Sequence, residues 1–411
     1  MDIERLSERA QVKCAEMFEE LDRICRFNSQ KVLNAFIDCK VAANHLVGTN
    51  GYGYDDTGRD KIDEVFAAVL GAQDALVRHN FVSGTHAIST ALFGVLRPGD
   101  LLVSATGAPY DTLLGVISAK SGGSLQEFGV KYRQTELLPD GSPDFEGIKA
   151  NCKNAAVVFV QRSCGYSLRR SLNIRDIENI VNAVREVNNN AVIFVDNCYG
   201  ELCEEKEPCE VGADLIAGSL IKNLGGGIAE TGGYIAGRAD LIQLCAQRLT
   251  SVGIGREAGC SLNQNRGILL GLYHAPSAVC GALKTSVFTC ALLSELGYKT
   301  YPAYNEPRTD IIAAIEFGCP EKMKSFCRGV QSGSPIDSHV TPEAWAMPGY
   351  DENVIMAAGA FTMGASIELS ADGPLREPYA VWLQGGVNFE MGRIGVLKAA
   401  MAIDEQLTVD N

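Results

Sequence analysis

Two short apolar runs in the middle of the chain limit its fold more than any other feature. AAVVFVQ ends at Gln161 and AVIFVD ends at Asp196, and both are rich in β-branched residues, as buried parallel strands are. Between the runs, apolar residues keep the spacing of one helix face, at Ile177, Ile180, Val181, Val184 and Val187. Strand, helix and strand in this order predict a right-handed crossover and an α/β layered sheet.

The same alternation extends through most of the chain. Helix and strand patterns follow one another from KIDEVFAAVLGA to SLIKNLGGG, and TDIIAAIEFG further on predicts another helix. The first 45 residues have the periodicity of an amphipathic helical arm. We therefore expect an N-terminal arm over residues 1–45, a large ligand-binding domain over 46–285 and a small C-terminal domain over 286–411.

Charge and cysteine content limit the partners and the compartment. Lys and Arg number 36 against 50 Asp and Glu, and the net charge of −14 repels nucleic acid and anionic membranes. No run of eighteen apolar residues predicts a membrane span. The 14 cysteines include no C-x-x-C pair, so we expect neither disulfides nor a metal site, but reduced thiols in the cytoplasm.

Residues suited to chemistry follow the predicted strands, and ligands of such sheets bind at the carboxyl ends of strands. One group opens a helix and consists of Ser83, Gly84, Thr85 and His86. Free N–H groups and the helix dipole suit a phosphate there, although the same residue types are common helix caps. Asp196 directly follows an apolar run, where a carboxylate needs a cation unless it is only a turn residue.

An aromatic residue and a lysine complete this set. Tyr110 begins a helix after LLVSATGAP and could stack on a flat ring or simply pack in the core. Lys222, three residues after Ser219, could be a nucleophilic amine or could extend from a strand end to water. A phosphate site, a stacking ring, a carboxylate for a pyridinium nitrogen and a reactive lysine are what pyridoxal 5′-phosphate (PLP) requires. Together they predict a PLP site.

Longer motifs carry a family resemblance. GYGYDDTGRD, FVSGTHA, QRSCGYS, SLIKNLGGG, SPIDSHVTPE and IELSADGPLREP resemble the methionine gamma-lyase family, also described as cystathionine beta-lyase-like and involved in aluminium resistance. The resemblance extends over nearly the whole chain. It implies a fold type I PLP-dependent transferase-like architecture, with a mainly parallel seven-stranded sheet flanked by helices in the large domain and a smaller α+β C-terminal domain.

The resemblance also implies residue roles. Lys222 is expected to form the internal aldimine with PLP, Asp196 to pair with the ring nitrogen and Tyr110 to stack on the ring. The phosphate contacts are expected from the turn at residues 83–86 and from Ser219. Substrate contacts are expected from Arg376, which would bind the carboxylate, and more weakly from Arg162 and Ser163.

A neighbouring subunit is part of the implied site. In related enzymes a tyrosine and an arginine near the N-terminus reach the phosphate in the adjacent subunit, and GYGYDDTGRD offers Tyr52 or Tyr54 with Arg59. The resemblance therefore implies a homodimer as the catalytic unit, paired into a homotetramer.

The expected activity is that of a PLP-dependent carbon–sulfur lyase, which converts a sulfur amino acid to a thiol, ammonia and a 2-keto acid. An aminotransferase or another PLP enzyme needs the same residues, and a PLP-binding stress-response protein without lyase activity is an alternative of another class. Ile221 precedes the lysine where cystathionine enzymes usually have threonine, which leaves the substrate and the choice between β- and γ-elimination open.

Overall fold

The computed structural model describes residues 2–120, 122–347 and 350–409, with described side chains ending at residue 404. It divides into two compact units. One comprises Met1–Ser29, Tyr166–Arg170 and His274–Asn411, and the other comprises Gln30–Gly165 and Ser171–Tyr273. The chain begins with helices α1 (Ile3–Lys13) and α2 (Ala15–Asp38).

The larger unit is built on a seven-stranded sheet. Its strands are β1 (Asp74–Arg78), β2 (Leu101–Ser104), β3 (Lys131–Gln134), β4 (Val157–Gln161), β5 (Val192–Asp196), β6 (Leu215–Ser219) and β7 (Gly233–Gly237). They lie in the order β1-β7-β6-β5-β4-β2-β3, and all neighbours pair in parallel except β7, which is antiparallel to β1 and β6. The predicted α/β class with a mainly parallel seven-stranded sheet is confirmed.

Helices connect the strands of this unit. They are α3 (Thr57–Leu70), α4 (Gly84–Val95), α5 (Asp111–Ser118), α6 (Phe145–Cys152), α7 (Ile174–Val187) and α8 (Ala239–Leu249). The apolar stripe of α7 is buried, as its spacing predicts. Asn173 caps its first turn because its Oδ1 accepts a hydrogen bond from the Asp176 amide at 2.8 Å. Stripe and cap together explain why this segment is a helix that begins at residue 174.

A long apolar helix, α9 (Asn265–Glu295), follows. Among the described residues it is the one helix long and apolar enough to cross a membrane, and 83% of its most apolar window is buried inside the protein. Such burial is typical of a core helix in a globular fold.

The other unit contains a five-stranded antiparallel sheet. Its strands are β8 (Lys299–Tyr301), β9 (Ala313–Glu316), β10 (Val354–Ala357), β11 (Ser370–Pro374) and β12 (Ala380–Gln384), in the order β10-β11-β12-β9-β8. Helices α10 (Pro320–Ser332) and α11 (Phe389–Val409) pack against each other beside it. The expected α+β character of the C-terminal part is confirmed.

The helix predicted at TDIIAAIEFG is wrong. Ala313–Glu316 within it form β9, which pairs with β8 on one side and β12 on the other. A short continuous apolar run fits a buried helix and a buried strand equally well, and only its partners decide between them. Those partners come from distant parts of the chain, so the local pattern could not reveal them.

Candidate active site

The carboxyl ends of three strands meet at one edge of the large sheet. Asp196 ends β5, and it lies in register with Gln161 at the end of β4 and Ala217 in β6. Ser219 ends β6, and Lys222 follows three residues later. The parallel pairing thus brings the predicted carboxylate and lysine to the same edge of the sheet.

The first turn of α4 lies against this edge. A Cβ atom built on Gly84 would lie 3.1 Å from Cys198 Sγ and 3.4 Å from Ser219 Cβ, so the site leaves little room for a side chain at position 84. Ser83 Oγ accepts a hydrogen bond from the His86 amide at 3.1 Å. His86 Nδ1 accepts one from the Val82 amide at 3.2 Å. Ser83 and His86 therefore shape the turn.

The turn also leaves donors for an anion. The amides in the first turn of a helix have no carbonyl of the helix to bond, so those of Gly84 and Thr85 can serve a phosphate. Ser219 is buried beside them and carries a hydroxyl. A helix terminus and a hydroxyl are the donors that a phosphate ester needs.

Tyr110 is fixed from two sides. Its hydroxyl lies 2.9 Å from Thr85 Oγ1, and its amide donates to Gln161 Oε1 at 2.8 Å. Burial raises the pKa of Tyr110 well above its ordinary value, and the nearby charge of Asp196 raises it further. The hydroxyl therefore stays neutral, and the tyrosine is held at the same strand ends as Asp196.

Asp196 is a buried carboxyl group that favours a cation. It is 5% exposed and accepts a hydrogen bond from the Cys198 amide at 3.1 Å. Burial raises the pKa of Asp196 to about 6, against the lowering effects of hydrogen bonds from Cys198 and of the charge on Lys222. A cation placed against this carboxyl would offset the cost of burying its charge.

Lys222 lies against a tyrosine that the sequence did not single out. Its Nζ forms a hydrogen bond with the hydroxyl of Tyr199 and lies 3.7 Å from the centroid of the Tyr199 ring. The one signal available in the sequence was an aromatic residue three positions after Asp196.

Comparison with known proteins identifies the family of the chain. The family model described as methionine gamma-lyase matches residues 3–404. The chain belongs to the methionine gamma-lyase family.

Two relatives are similar to this chain over nearly their full length. The uncharacterized protein YnbB of Bacillus subtilis is 48% identical over 379 residues, which cover 91% of this chain and 90% of the relative. A crystal structure named carbon-sulfur lyase involved in aluminum resistance, from Clostridium novyi NT, is 48% identical with a TM-score of 0.93 and covers 97% of this chain and 95% of that chain. The PLP-dependent protein YhfS of Escherichia coli, at 18% identity and a TM-score of 0.61 over 94% of this chain and 97% of that chain, shares the fold.

The family and the fold imply PLP, and the residues present fit it. The tight approach at Gly84 and the open amides of α4 suit the phosphate. The buried carboxyl of Asp196 suits a protonated pyridine nitrogen, and Tyr110 is an aromatic residue fixed at the same strand ends. Lys222 brings a primary amine to the same edge. This donor set matches the chemical groups of PLP.

Arg162, which the family resemblance predicts to contact the substrate, is fully buried. Its Nη1 donates to Asn197 Oδ1 and to the Gly200 carbonyl, each at 2.8 Å, and its Nη2 donates to Glu204 Oε2 at 2.7 Å. These contacts tie the guanidinium into the loop after β5 and support a structural role. Ser163 beside it is also buried. Substrate contact by either residue stays a prediction.

The residues predicted to reach a neighbouring subunit differ in how far they are exposed. Tyr52 and Tyr54 are 75% and 61% exposed, and their rings stack 5.5 Å apart. Arg59 is buried instead, and its Nη1 donates to the carbonyls of Gly53 at 2.8 Å and Gly259 at 2.9 Å. The arginine supports its own loop, whereas the tyrosines are on the surface.

Arg376 lies in the other unit of the chain. Its Nη1 pairs with the two carboxylate oxygens of Glu352 at 3.1 and 3.2 Å, and its side chain is partly exposed. Its predicted contact with a substrate carboxylate stays a prediction.

A second buried acid lies in the loop after β5. Glu201 is fully buried, and its Oε1 accepts a hydrogen bond from the Tyr234 hydroxyl at 2.7 Å. Burial raises the pKa of Glu201 to about 8, and the neighbouring charge of Glu207 adds to the rise. Glu201 therefore keeps its proton in the folded protein near neutral pH. No motif or spacing around Glu201 distinguishes it in the sequence.

Replacing Glu201 with Gln is expected to flatten the pH dependence of stability. The unfolded chain releases this proton near pH 4.5 and the folded protein near pH 8. The contribution of the neutral acid is therefore complete below about pH 4.5 and is lost as the pH rises through 8. The loss amounts to about 3 to 5 kcal/mol, and a glutamine, which has no proton to release, does not undergo it.

Urea unfolding at several pH values between about 5 and 8 measures this difference. Glu178→Gln is the matched control because Glu178 is exposed on α7. Unfolding free energies of wild type and Glu201→Gln that fall in parallel across this range would contradict the prediction.

Proposed function

We propose that the protein is a PLP-dependent carbon–sulfur lyase that cleaves a sulfur amino acid to a thiol, ammonia and a 2-keto acid. The observation that carries the proposal is the meeting of Lys222 and the buried carboxyl of Asp196 at adjacent strand ends, beside the first turn of α4. Membership of the methionine gamma-lyase family and the carbon–sulfur lyase named among the solved relatives support it.

In this proposal each residue of the site has its own role. PLP, when bound, supplies an electron sink for negative charge that develops at the substrate Cα. Asp196 would hold a proton on the pyridine nitrogen, and Tyr110 would cover the ring. The amides of Gly84 and Thr85 would hold the phosphate with the Ser219 hydroxyl. Lys222 would hold the cofactor through its side-chain amine.

The amine of Lys222, when not bonded to the cofactor, would act as the general base that removes the proton from the substrate Cα. The carbon–sulfur bond at Cβ, or at Cγ once a proton has also left Cβ, would break with its electron pair leaving on sulfur, which departs as a thiol once protonated. Water releases the nitrogen as ammonia and leaves a 2-keto acid. No amino acceptor enters this sequence, and that distinguishes it from transamination.

Incubation of the PLP-loaded protein with methionine, cystathionine or cysteine, one at a time and without an acceptor, tests the proposal. We expect one of them to yield 2-keto acid and ammonia in equal amounts together with a sulfur product. Alanine, which has no leaving group, is the control substrate. Keto acid that forms only after a second keto acid is added would identify an aminotransferase instead. Bound cofactor without any product would support the PLP-binding stress-response alternative.

We further propose that the catalytic unit is a homodimer, paired into a tetramer. The exposed stacked pair Tyr52 and Tyr54 supports it, since such rings gain most when a second surface covers them. Leu262 adds a third exposed apolar side chain to this part of the surface. Its amide donates to the Thr49 carbonyl at 3.0 Å, which places its loop beside the segment that carries the two tyrosines.

Replacing Tyr52 and Tyr54 together with Ser is expected to shift the protein toward monomers, as measured by light scattering over a dilution series. The double change removes two large apolar rings from the contact without touching buried residues. The control is Tyr273→Ser, which removes an exposed ring elsewhere. A double variant that dissociates no more readily than wild type would remove the tyrosines from the interface.

The remaining expectations concern location and partners. None of the 14 cysteines, all of which lie in the described part of the chain, is in a disulfide bond, which supports the proposed cytoplasmic location. The proposed partners are a small amino acid and further copies of the chain, and the net charge of −14 supports the expectation that nucleic acid and membranes are not among them.

A further inference from the structure

Tyr199, the residue against which Lys222 lies, has an unusual backbone. Its φ is 73°, in the left-handed region that bulky side chains rarely adopt. Such conformations persist where the surrounding structure fixes them, and they are concentrated at functional sites. The contacts of Tyr199 show what fixes it.

One set of contacts comes from the residue next to Lys222. Asn223 is fully buried, and its Nδ2 donates to the Tyr199 carbonyl at 2.9 Å and to the Glu201 carbonyl at 2.8 Å. Cys203 Sγ also donates to the Tyr199 carbonyl, at 3.3 Å. The lysine side chain and the side chain of its neighbour thus both bind the same tyrosine, one at the phenol and one at the backbone.

A second set of contacts holds the loop that carries Tyr199. The buried guanidinium of Arg162 packs across Gly200, where an added Cβ would lie 2.6 Å from its Cδ, Nε and Nη1 atoms. Arg162 also donates to Asn197 and Gly200, on either side of Tyr199. The phenol is therefore presented to Lys222 from a loop with little freedom to move.

We propose that Tyr199 is a positioning residue for Lys222, which holds the lysine amine at the strand ends for attachment to the cofactor and for proton removal after the substrate has displaced it. The inference rests on the proposed function and deepens it. A phenol hydroxyl accepts a hydrogen bond from an ammonium group and donates one to a neutral amine. It therefore holds the lysine in both protonation states through which a general base passes. The ring face attracts the charged form alone.

The test uses the full-length apoprotein and PLP, with the visible absorbance of the attached cofactor as the readout. Tyr199→Phe keeps the ring and loses the hydroxyl. We expect it to melt at the wild-type temperature and to attach PLP at least about tenfold more slowly, as expected when a hydrogen bond to a charged group is lost. In turnover, kcat is expected to fall while KM changes little, because the hydroxyl contacts the lysine and not the substrate.

Two further variants separate positioning from folding. Tyr132→Phe removes a hydroxyl from β3, where it bonds Gln134 at 2.9 Å, and is expected to attach PLP at the wild-type rate. Tyr199→Gly removes the ring as well, but glycine adopts a φ of 73° without strain, so the variant is expected to fold. Its attachment is expected to be slower than that of Tyr199→Phe.

Two outcomes overturn the inference and are distinguishable. If wild type attaches PLP and Tyr199→Phe or Tyr199→Gly does so at the same rate with unchanged kcat, Tyr199 does not position the lysine and the proposed function stands. If wild type itself attaches no PLP, the inference and the proposed function fail together.

Discussion

The Lys222→Ala variant is expected to lose turnover completely and to lack the visible absorbance of a lysine-linked cofactor. Two roles disappear with one amine. Without the amine the protein has no nucleophile for covalent attachment, and a positioned general base alone contributes about 10²- to 10⁴-fold to the rate. Lys222 is the single lysine between Lys206 and Lys284, so no other lysine lies near it in the chain.

Absorbance and keto acid release after incubation with PLP measure the effect. The control is Lys206→Ala, which removes an exposed lysine from the connection that precedes β6. We expect the fold to persist in both variants, since a half-buried lysine is exchanged for a small apolar residue. A Lys222→Ala variant with normal turnover would disprove the assignment of the lysine.

The second large effect is expected at Asp196. In Asp196→Asn the amide carries no negative charge to keep the pyridine nitrogen protonated, so the negative charge at Cα is poorly stabilised. We expect turnover to fall by about 10²- to 10³-fold, the usual effect of removing one preorganised electrostatic group. PLP is still expected to attach, because Lys222 and the phosphate donors are unchanged.

Stability is expected to move the opposite way in the apoprotein. Burial raises the pKa of Asp196 from 3.8 to about 6, so wild type loses stability as the pH rises from about 4 through 6. An asparagine avoids this loss and should stabilise the apoprotein by about 1 to 3 kcal/mol above pH 6. Urea unfolding of the apoproteins above pH 6 and kcat of the PLP-loaded forms test both effects. Turnover within tenfold of wild type, or an apoprotein less stable than wild type, would contradict this account of Asp196.

The sequence predicts the large sheet well because the information there is local. The apolar runs that became β4 and β5 are continuous and β-branched, and the stripe and cap of α7 lie within a few residues of each other. The segment that became β9 differs, since Ala313 and Ala314 suit a helix and the pairing with β8 and β12 comes from residues far along the chain. Local pattern decides structure only where distant partners do not compete with it.

The same distinction applies to the site. Lys222, Asp196 and Tyr110 could be proposed from the sequence because each follows a strand, and parallel strands bring their ends to one edge. Tyr199, Asn223 and Glu201 could not be proposed in this way. The role of Tyr199 depends on a positive φ, that of Asn223 on two backbone carbonyls that accept hydrogen bonds from its side-chain amide, and that of Glu201 on complete burial. None of these properties leaves a spacing pattern in the chain.

The guanidinium of Arg162, which packs against the loop at residues 197–203, also affects the free energy of ligand binding. A loop that a ligand must order takes conformational entropy from the binding free energy, about 1 to 2 kcal/mol for each residue that is fixed. Here the ordering is already complete, because hydrogen bonds to Asn197, Gly200 and Glu204 hold the loop within the protein itself. The contacts that a cofactor makes therefore need not supply the free energy of ordering this loop.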